Sequence, residues 1–339
     1  MKRRVLLSFI MIVIFSLMAA CSENNKSSSN ESADNFEFKF SHVQPDDHPT
    51  TVAAEWMADE LEEKTDGKIT MKVYAGGSLG GPDENIAGMK SGDIDFSWVS
   101  TGQLARDIPE LNLFSAGYLV ASEEHFSKLA DMDGELMGQL EGLVEEATIG
   151  SRLVGMMGGS QRRLFNNKRA VNKPEDLEGL DVRIQDSPIE AKTWELLGAR
   201  PSPLALDELY TALQSNVVNG GEMSTSAYYS NKFHEVAKYH SLTDHQYGFL
   251  PLLMSDKTYE KLPEDLRDVV LEIAAEASEK SWEIAWDSDE EALKSLKEEG
   301  VEVNEVDIDN FKDKVESLIE DVADEYDAED LLQTIRDAE

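Results

Sequence analysis

Cysteine is almost absent from this chain. Cys21 is the single cysteine in 339 residues, so apart from that position the chain offers no disulfide framework, no thiolate metal site and no cysteine nucleophile. The folded part must therefore be stabilised by a hydrophobic core, and a chain of this length is large enough to form one.

Positive charge is also scarce. The chain has 31 Lys and Arg against 68 Asp and Glu, a formal net charge of -37. Because nucleic-acid binding requires basic surface for the phosphates, we expect no nucleic-acid partner. Residues 147–174 reverse this pattern: they contain no Asp or Glu, and their basic residues are Arg152, Arg162, Arg163, Lys168, Arg169 and Lys173. This basic segment predicts a bound small anion, and the alternative is a loosely basic strip of surface.

Long apolar runs are confined to the N-terminus. Basic residues at positions 2–4 precede an apolar run over residues 5–17, so residues 1–20 are predicted to be a secretory signal peptide. The run is shorter than the roughly 20 residues that a membrane span requires. Cys21 follows Met18-Ala19-Ala20, which resembles a bacterial lipobox except that Met18 replaces the usual aliphatic residue.

We therefore expect a lipid on Cys21, and the alternative is an ordinary signal peptide with a chance cysteine. Residues 21–35 are rich in Ser and Asn, and they are predicted to form a flexible tether. The expected location is the extracytoplasmic face of the bacterial cell membrane.

Motifs for catalysis, metals and nucleotides are missing or broken. His234-Glu235 resembles the start of a zinc-protease motif, but the next histidine is His240, six residues after the first, and that helical spacing cannot place both rings on one metal. The glycines at 76–77 and 80–81 lack the lysine of a phosphate-binding loop. We expect no enzyme activity, no metal and no cofactor; a secreted enzyme acting on a carboxylated sugar is kept as an alternative.

Strand and helix patterns alternate along the chain. Residues 36–40, 69–74 and 94–99 have strand patterns, and helical spacing lies between them at 49–64 and 82–90. The alternation returns later, with strand patterns at 181–184 and 250–254 and helical patterns at 188–197 and 206–214. Two such groups predict an α/β protein with a largely parallel sheet and two lobes.

Residues 264–299 contain no Gly and no Pro, and their apolar residues keep helical spacing. The segment predicts either one helix of roughly 54 Å, at about 1.5 Å per residue, shared by both lobes, or two helices that break near Trp286.

Several motifs resemble one family in the same order along the chain. They are 76–80 (GGSLG), 92–96 (GDIDF), 174–183 (PEDLEGLDVR), 197–203 (LGARPSP), 208–214 (ELYTALQ), 243–245 (TDH) and 262–264 (LPE). The chain resembles the substrate-binding proteins of tripartite ATP-independent periplasmic (TRAP) transporters, of the dicarboxylate-binding type. The resemblance extends over essentially everything after the tether.

The resemblance implies a two-lobed periplasmic-binding-protein fold, with a ligand cleft between the lobes and a long helix spanning the hinge. The expected lobes are 36–160 with about 249–288, and 161–248 with about 289–339. The resemblance also implies the membrane subunits of a sodium-driven transporter as partners, and we expect a monomer. A ligand sensor that signals to a membrane kinase would share the cleft and differ only in its partner.

The resemblance assigns the substrate carboxylate to the arginine that ends the 174–183 motif, here Arg183. A guanidinium pairs with a carboxylate through two charge-assisted hydrogen bonds. A second family arginine lies 20 residues earlier, which gives Arg163, and Arg162 takes its place if the alignment shifts by one. The ligand is expected to be a C4-dicarboxylate, a sugar acid such as a uronate, or a 2-oxo or hydroxy acid.

The remaining site residues also follow from the resemblance. The family segment that contacts the ligand corresponds to 215–223, where Glu222 is kept and Met223 replaces an asparagine. Because Met223 cannot donate a hydrogen bond, sialic acid and ectoine lose support. From the first lobe, His42, Trp98 and Ser100 are expected to face the cleft, since open α/β sheets bind ligands at strand ends.

Overall fold

One mixed sheet organises residues 35–339, which are the residues that this computed structural model describes. The predicted signal peptide, Cys21 and the tether as far as residue 34 lie outside them. The strands are β1 Phe36–Ser41, β2 Ile69–Tyr74, β3 Phe96–Trp98, β4 Ser151–Asn166, β5 Asp181–Ile184, β6 Arg200–Pro203, β7 Gly220–Met223, β8 Tyr239–Ser255 and β9 Glu302–Glu305. Their order in the sheet is β2-β1-β3-β8-β4-β7-β5-β6, and β9 pairs with β8.

Helices cover the sheet. The helices are α1 Pro49–Lys64, α2 Pro82–Ser91, α3 Thr101–Leu104, α4 Glu123–Leu129, α5 Glu135–Glu146, α6 Pro188–Leu197, α7 Leu206–Gln214, α8 Thr225–Ser230, α9 Asp256–Lys261, α10 Glu264–Glu298, α11 Ile308–Glu325 and α12 Glu329–Asp337. Short 3-10 helices lie at Pro109–Ser115, Pro174–Leu177 and Phe233–Glu235. In the described part of the chain, no helix is both long enough and apolar enough to cross a membrane.

The two long strands β4 and β8 join two α/β groups. The C-terminal part of β8 pairs with β3 and with the start of β4. Its N-terminal part pairs with β9 and with the end of β4, which in turn pairs with β7. Within each group the strands are mostly parallel, but β4 and β8 run antiparallel to each other. The sheet is therefore mixed, where the sequence predicted a largely parallel one.

The strands β4 and β8 approach each other closely near Gly158. This residue has φ +112°, and a Cβ atom added there would lie 2.1 Å from the carbonyl oxygen of Gly248. The pairing register also shifts between Gly158 and Gln161. Only a glycine tolerates both the left-handed backbone and this backbone contact.

Helix α10 is continuous over 35 residues, so of the two predicted alternatives the single helix forms and the break near Trp286 does not occur. Its first half packs with β1 and α1 in one core, and Leu296 near its end packs with Phe165 of β4 in another. Between them, the indole nitrogens of Trp282 and Trp286 donate hydrogen bonds of 2.6 and 2.9 Å to carbonyl oxygens of β4. The helix thus lies along both groups.

The C-terminal helices return to both groups. Phe311 and Val315 of α11 pack in the core of β5 and α6. Leu331 and Ile335 of α12 pack instead with Leu136 and the rest of the core around α5. The predicted lobe division places all of 289–339 with the second lobe, whereas α12 lies against the first α/β group. Sequence patterns carry no signal for this long-range docking.

Candidate functional site

A cavity of about 1000 Å³ lies where β3, β4, β5 and β7 end or cross. The first α/β group contributes the loop at 43–50, the glycine turn at 76–81, Trp98 and Ser100. The second contributes Arg162, Arg183, Gln185 and residues 203–208, and Gly158 and Gly248 lie at the crossing. The cavity therefore has walls from both groups, as a cleft between two lobes requires.

Arg183 is a buried cation in the cavity wall. It is only 6 % exposed, and its Nε donates a 2.8 Å hydrogen bond to the carbonyl oxygen of Leu204. Among the described residues, no hydrogen bond reaches its Nη atoms and no carboxylate lies within ion-pair distance. Burial and the nearby Arg162 charge lower the pKa of Arg183, while the charges of Glu222 and Glu190 oppose them. An arginine nevertheless stays charged, so this guanidinium is available to an anion.

Arg162 lines the same cavity but already has a carboxylate partner. Its Nε and Nη2 donate hydrogen bonds of 2.6 and 2.5 Å to the two carboxylate oxygens of Glu222. Burial alone would lower the pKa of Arg162, but the charge and hydrogen bonds of Glu222 raise it. For Glu222, burial is outweighed by Arg162 and by His245, 3.4 Å away, and its pKa falls to about 2. The two residues form a fixed, neutral pair.

Arg163 does not line the cavity. Its Nε donates to Asp244 at 2.5 Å, its Nη1 to Thr225 at 2.8 Å and its Nη2 to Gln161 at 2.8 Å. Adjacent residues of a strand point to opposite faces, so only one of the two neighbouring arginines can face the cavity. The residue that lines the cavity is Arg162, the alternative that a one-residue shift of the alignment provides, while Arg163 pairs with Asp244 outside the lining.

Of the residues expected from the first lobe, two line the cavity and one does not. Trp98 and Ser100 line the cavity, whereas His42 is fully buried behind Trp98, with the two rings stacked 5.6 Å apart. The indole nitrogen of Trp98 has no hydrogen-bond partner in the described part of the chain. Burial lowers the pKa of His42 to about 4, so its imidazole is neutral at physiological pH.

From the 215–223 segment, Met223 lines the cavity and Glu222 lies behind it, holding Arg162. Sequence reasoning missed Gln185, which follows Arg183 by two positions and therefore faces the same side. The hydroxyl of Ser100 lies 3.3 Å from the side-chain oxygen of Gln185, so this pair connects the two walls. Period-two spacing from Arg183 was the signal that could have identified Gln185.

The chemistry of the lining favours an anion with several hydroxyl groups. One unpaired guanidinium is available for one carboxylate, while Gln44, Gln103, Asp207 and other polar residues supply hydrogen-bond groups. Within the described residues, no cluster of three or more His, Asp, Glu and Cys side chains has a geometry suited to a metal ion.

An α/β sheet with a polar cleft at its crossing strands is an architecture suited to binding a small solute. Residues 40–325 match the family described as bacterial extracellular solute-binding protein, family 7. The chain therefore belongs to this family, which confirms the resemblance that its motifs carry and the two-lobed fold that it implies.

Similar proteins agree with this classification. A solute-binding protein of Chromohalobacter salexigens is 30 % identical over 304 residues, which cover 88 % of each chain. A solved TRAP periplasmic solute-binding protein of Sulfitobacter with bound β-D-galacturonate has a TM-score of 0.83 and 28 % identity, over 89 % of this chain and 99 % of that one. Another, from Sulfurospirillum deleyianum with bound succinate, has a TM-score of 0.82 and 26 % identity, over 90 % and 99 % of the two chains.

Proposed function

We propose that this protein is a lipid-anchored receptor that captures a small sugar acid such as a uronate outside the cell membrane. It delivers the acid to the membrane subunits of a sodium-driven TRAP transporter. Lipidation at Cys21 raises the concentration of the receptor at the membrane, so docking on the transporter need not be tight. The lobes are those expected from the sequence, except that α12 moves with the first.

The observation that carries this proposal is the free guanidinium of Arg183. A cation that is 6 % exposed and lacks a carboxylate partner among residues 35–339 is costly to bury. A ligand carboxylate would supply the missing partner through the two Nη atoms. The bound uronate of the Sulfitobacter protein supports the same ligand class.

A sugar acid fits the lining better than a C4-dicarboxylate does. A second ligand carboxylate would need a second free cation, but Arg162 is already neutralised by Glu222 at 2.5–2.6 Å. Asp186, Asp207 and Glu208 also line the cavity, and these acidic side chains accept hydrogen bonds from hydroxyl groups while repelling a second carboxylate. Succinate, the ligand of the Sulfurospirillum protein, is the second candidate.

Closure of the cleft would follow from contacts that the ligand makes with both walls. A ligand shifts an open–closed equilibrium only by its difference in affinity for the two states. A carboxylate on Arg183 and hydroxyls near Trp98 and Ser100 would provide that difference, since these residues come from opposite walls.

Arg183→Ala tests the site. We expect D-glucuronate, D-galacturonate or D-galactonate to raise the melting temperature of the wild-type protein, since a ligand that binds only the folded state stabilises it. Truncation of a buried charge-pair partner costs about 2–5 kcal/mol of binding free energy. The melting temperature of Arg183→Ala should therefore not rise when the same acids are added. Isothermal titration calorimetry measures the difference.

The matched control is Arg200→Ala. Arg200 is exposed, lies on the neighbouring strand β6 and pairs with Asp181 at 2.7 Å. This variant should bind like the wild type. Tight binding by Arg183→Ala would disprove the role of Arg183, and a preference for succinate over every sugar acid would favour the second candidate.

A further inference from the structure

Glu190 is a buried carboxyl group directly behind the cavity. It is 4 % exposed in the first turn of α6, which begins after Ser187. Its two carboxylate oxygens accept hydrogen bonds of 3.1 Å from the backbone nitrogen and the side-chain nitrogen of Gln185. In the described part of the chain, no cationic side chain lies within ion-pair distance of Glu190, which is unusual for a buried carboxylate.

The charged and titratable groups around Glu190 come from four strands, three of which act on it directly. Arg162 of β4, Arg183 of β5 and Glu222 of β7 all act on it, and His245 of β8 contacts Glu222 at 3.4 Å. Arg162 and Glu222 cancel each other. If Glu190 ionises, its charge cancels that of Arg183 as well, and the cluster has no positive charge left to attract an anion.

Burial raises the pKa of Glu190 to about 7, and the Glu222 charge acts in the same direction, against Arg162 and Arg183. Glu190 therefore gains and loses its proton in the physiological range. The histidines of the first wall do not, because burial lowers the pKa of His42 to about 4 and that of His48 to about 3.

We propose that the receptor binds its acid together with one proton, and that the proton is held by the carboxyl group of Glu190. This coupling rests on the proposed function. The ligand carboxylate adds a negative charge beside Arg183. When Glu190 takes a proton from solvent, its own negative charge is removed. The buried cluster is therefore neutral in the complex. Gln185 carries the effect to the opposite wall, since it contacts both Glu190 and Ser100.

The coupling predicts that affinity for the acid falls as pH rises. Below pH 7 Glu190 is already protonated in the free protein, so binding takes up little or no proton and affinity is high. Above pH 7 the proton must be taken up on binding, and affinity falls by up to about tenfold per pH unit. The acid itself stays ionised over this range, because carboxylic acids titrate near pH 4.

Calorimetry with D-glucuronate, or D-galacturonate if it binds more tightly, tests the coupling. Titrations at pH 5.5, 7 and 8 in buffers of different ionisation enthalpy give the number of protons taken up. We expect close to one proton at pH 8 and close to none at pH 5.5. Glu190→Gln should take up none and should bind with little pH dependence, because the amide mimics the protonated acid.

Glu195→Gln is the matched control, since Glu195 lies on the same helix but is exposed, and it should behave like the wild type. Binding without proton uptake at pH 8, or uptake that persists in Glu190→Gln, would overturn the coupling and leave the proposed function intact. If Glu190→Gln does not fold, the absence of proton uptake by the wild type at pH 8 still overturns the coupling. Failure of every acid to bind at pH 5.5, where Glu190 is protonated, would overturn the proposed function and the coupling with it.

Discussion

At the scale of single residues, the basic segment 147–174 is explained by partners from elsewhere in the chain. Arg152 pairs with Asp256, Arg162 with Glu222 and Arg163 with Asp244. The segment needs no carboxylates of its own, because β7, β8 and the start of α9 supply them. The proposed function assigns the anion to Arg183 instead, which follows the segment and makes no ion pair with those carboxylates.

Arg162→Met should destabilise the protein strongly. It leaves Glu222, which is fully buried, without its guanidinium, and removal of one partner of a buried pair costs about 3–5 kcal/mol. Replacement of both residues, Arg162→Met with Glu222→Leu, should recover much of the loss, because a buried pair replaced by apolar groups is often near neutral. Urea unfolding of the three proteins measures this.

The pair of Arg162 and Glu222 also makes the free energy of unfolding depend on pH. The pKa of Glu222 is lowered from 4.5 to about 2 in the folded state, so its contribution to stability is present above about pH 4.5. That contribution is lost as pH falls from 4.5 towards 2. The single variant should lose less stability than the wild type over this range; an equal loss would show that Arg162 does not hold the carboxylate.

The site could be predicted from sequence only in part. Arg183, Trp98 and Ser100 line the cavity. Arg183 was predicted from its motif, and Trp98 and Ser100 from their position at the end of β3 and just after it. Arg162 and Arg163 could not be distinguished, since the choice depends on which face of β4 each occupies and β4 contains register shifts near both. Glu190 could not be recognised from the sequence as part of the site, because a glutamate three residues after a serine is also a common helix cap.

At the scale of elements, the helices were easier to predict than the crossing strands. The stretch 264–299, free of Gly and Pro, does form α10. By contrast, β8 was recognised only at residues 250–254 and β4 not at all. Gly158-Gly159 and the polar residues after them hide the strand pattern. The residues of β8 that pair with β4 also lie far along the chain, from Tyr239 opposite Asn166 to Ser255 opposite Ser151.

Gly158→Ala should disrupt the crossing. A methyl group there would meet the Gly248 carbonyl at 2.1 Å on a backbone with φ +112°, so we expect a loss of about 1–3 kcal/mol or more in the free energy of unfolding. Gly138→Ala is the control, since Gly138 lies inside helix α5 with no atom within 4 Å of the added carbon. It should gain about 0.5–1 kcal/mol. Equal effects of the two changes in urea unfolding would contradict this account of the crossing.

At the scale of the whole molecule, the ordered motifs predicted the two-lobed fold and the family, and both are confirmed. The position of α12 could not be predicted, because its apolar residues are compatible with packing on either group. Ligand specificity depends on a few side chains around the guanidinium of Arg183. The order of the motifs along the chain does not determine which residues these are.

The net charge of the molecule opposes its proposed task. A chain with a formal charge of -37 repels an approaching organic acid, and the cavity mouth adds Asp186, Asp207 and Glu208. The exposed residues Lys168, Arg169 and Lys173 are too few to reverse the field. Capture of the acid must therefore depend on short-range contacts at Arg183 rather than on long-range attraction.

This balance predicts that added salt speeds ligand capture. The screening length falls from about 30 Å at 0.01 M to about 8 Å at 0.15 M salt, so the repulsion fades while the buried contact at Arg183 is screened much less. The association rate constant for D-glucuronate should rise several-fold over this range, and the dissociation rate constant should stay nearly constant as an internal control. Stopped-flow tryptophan fluorescence, with Trp98 in the cavity wall as a reporter, measures both. A rate of association that falls with salt would show instead that the basic segment steers the acid into the cleft.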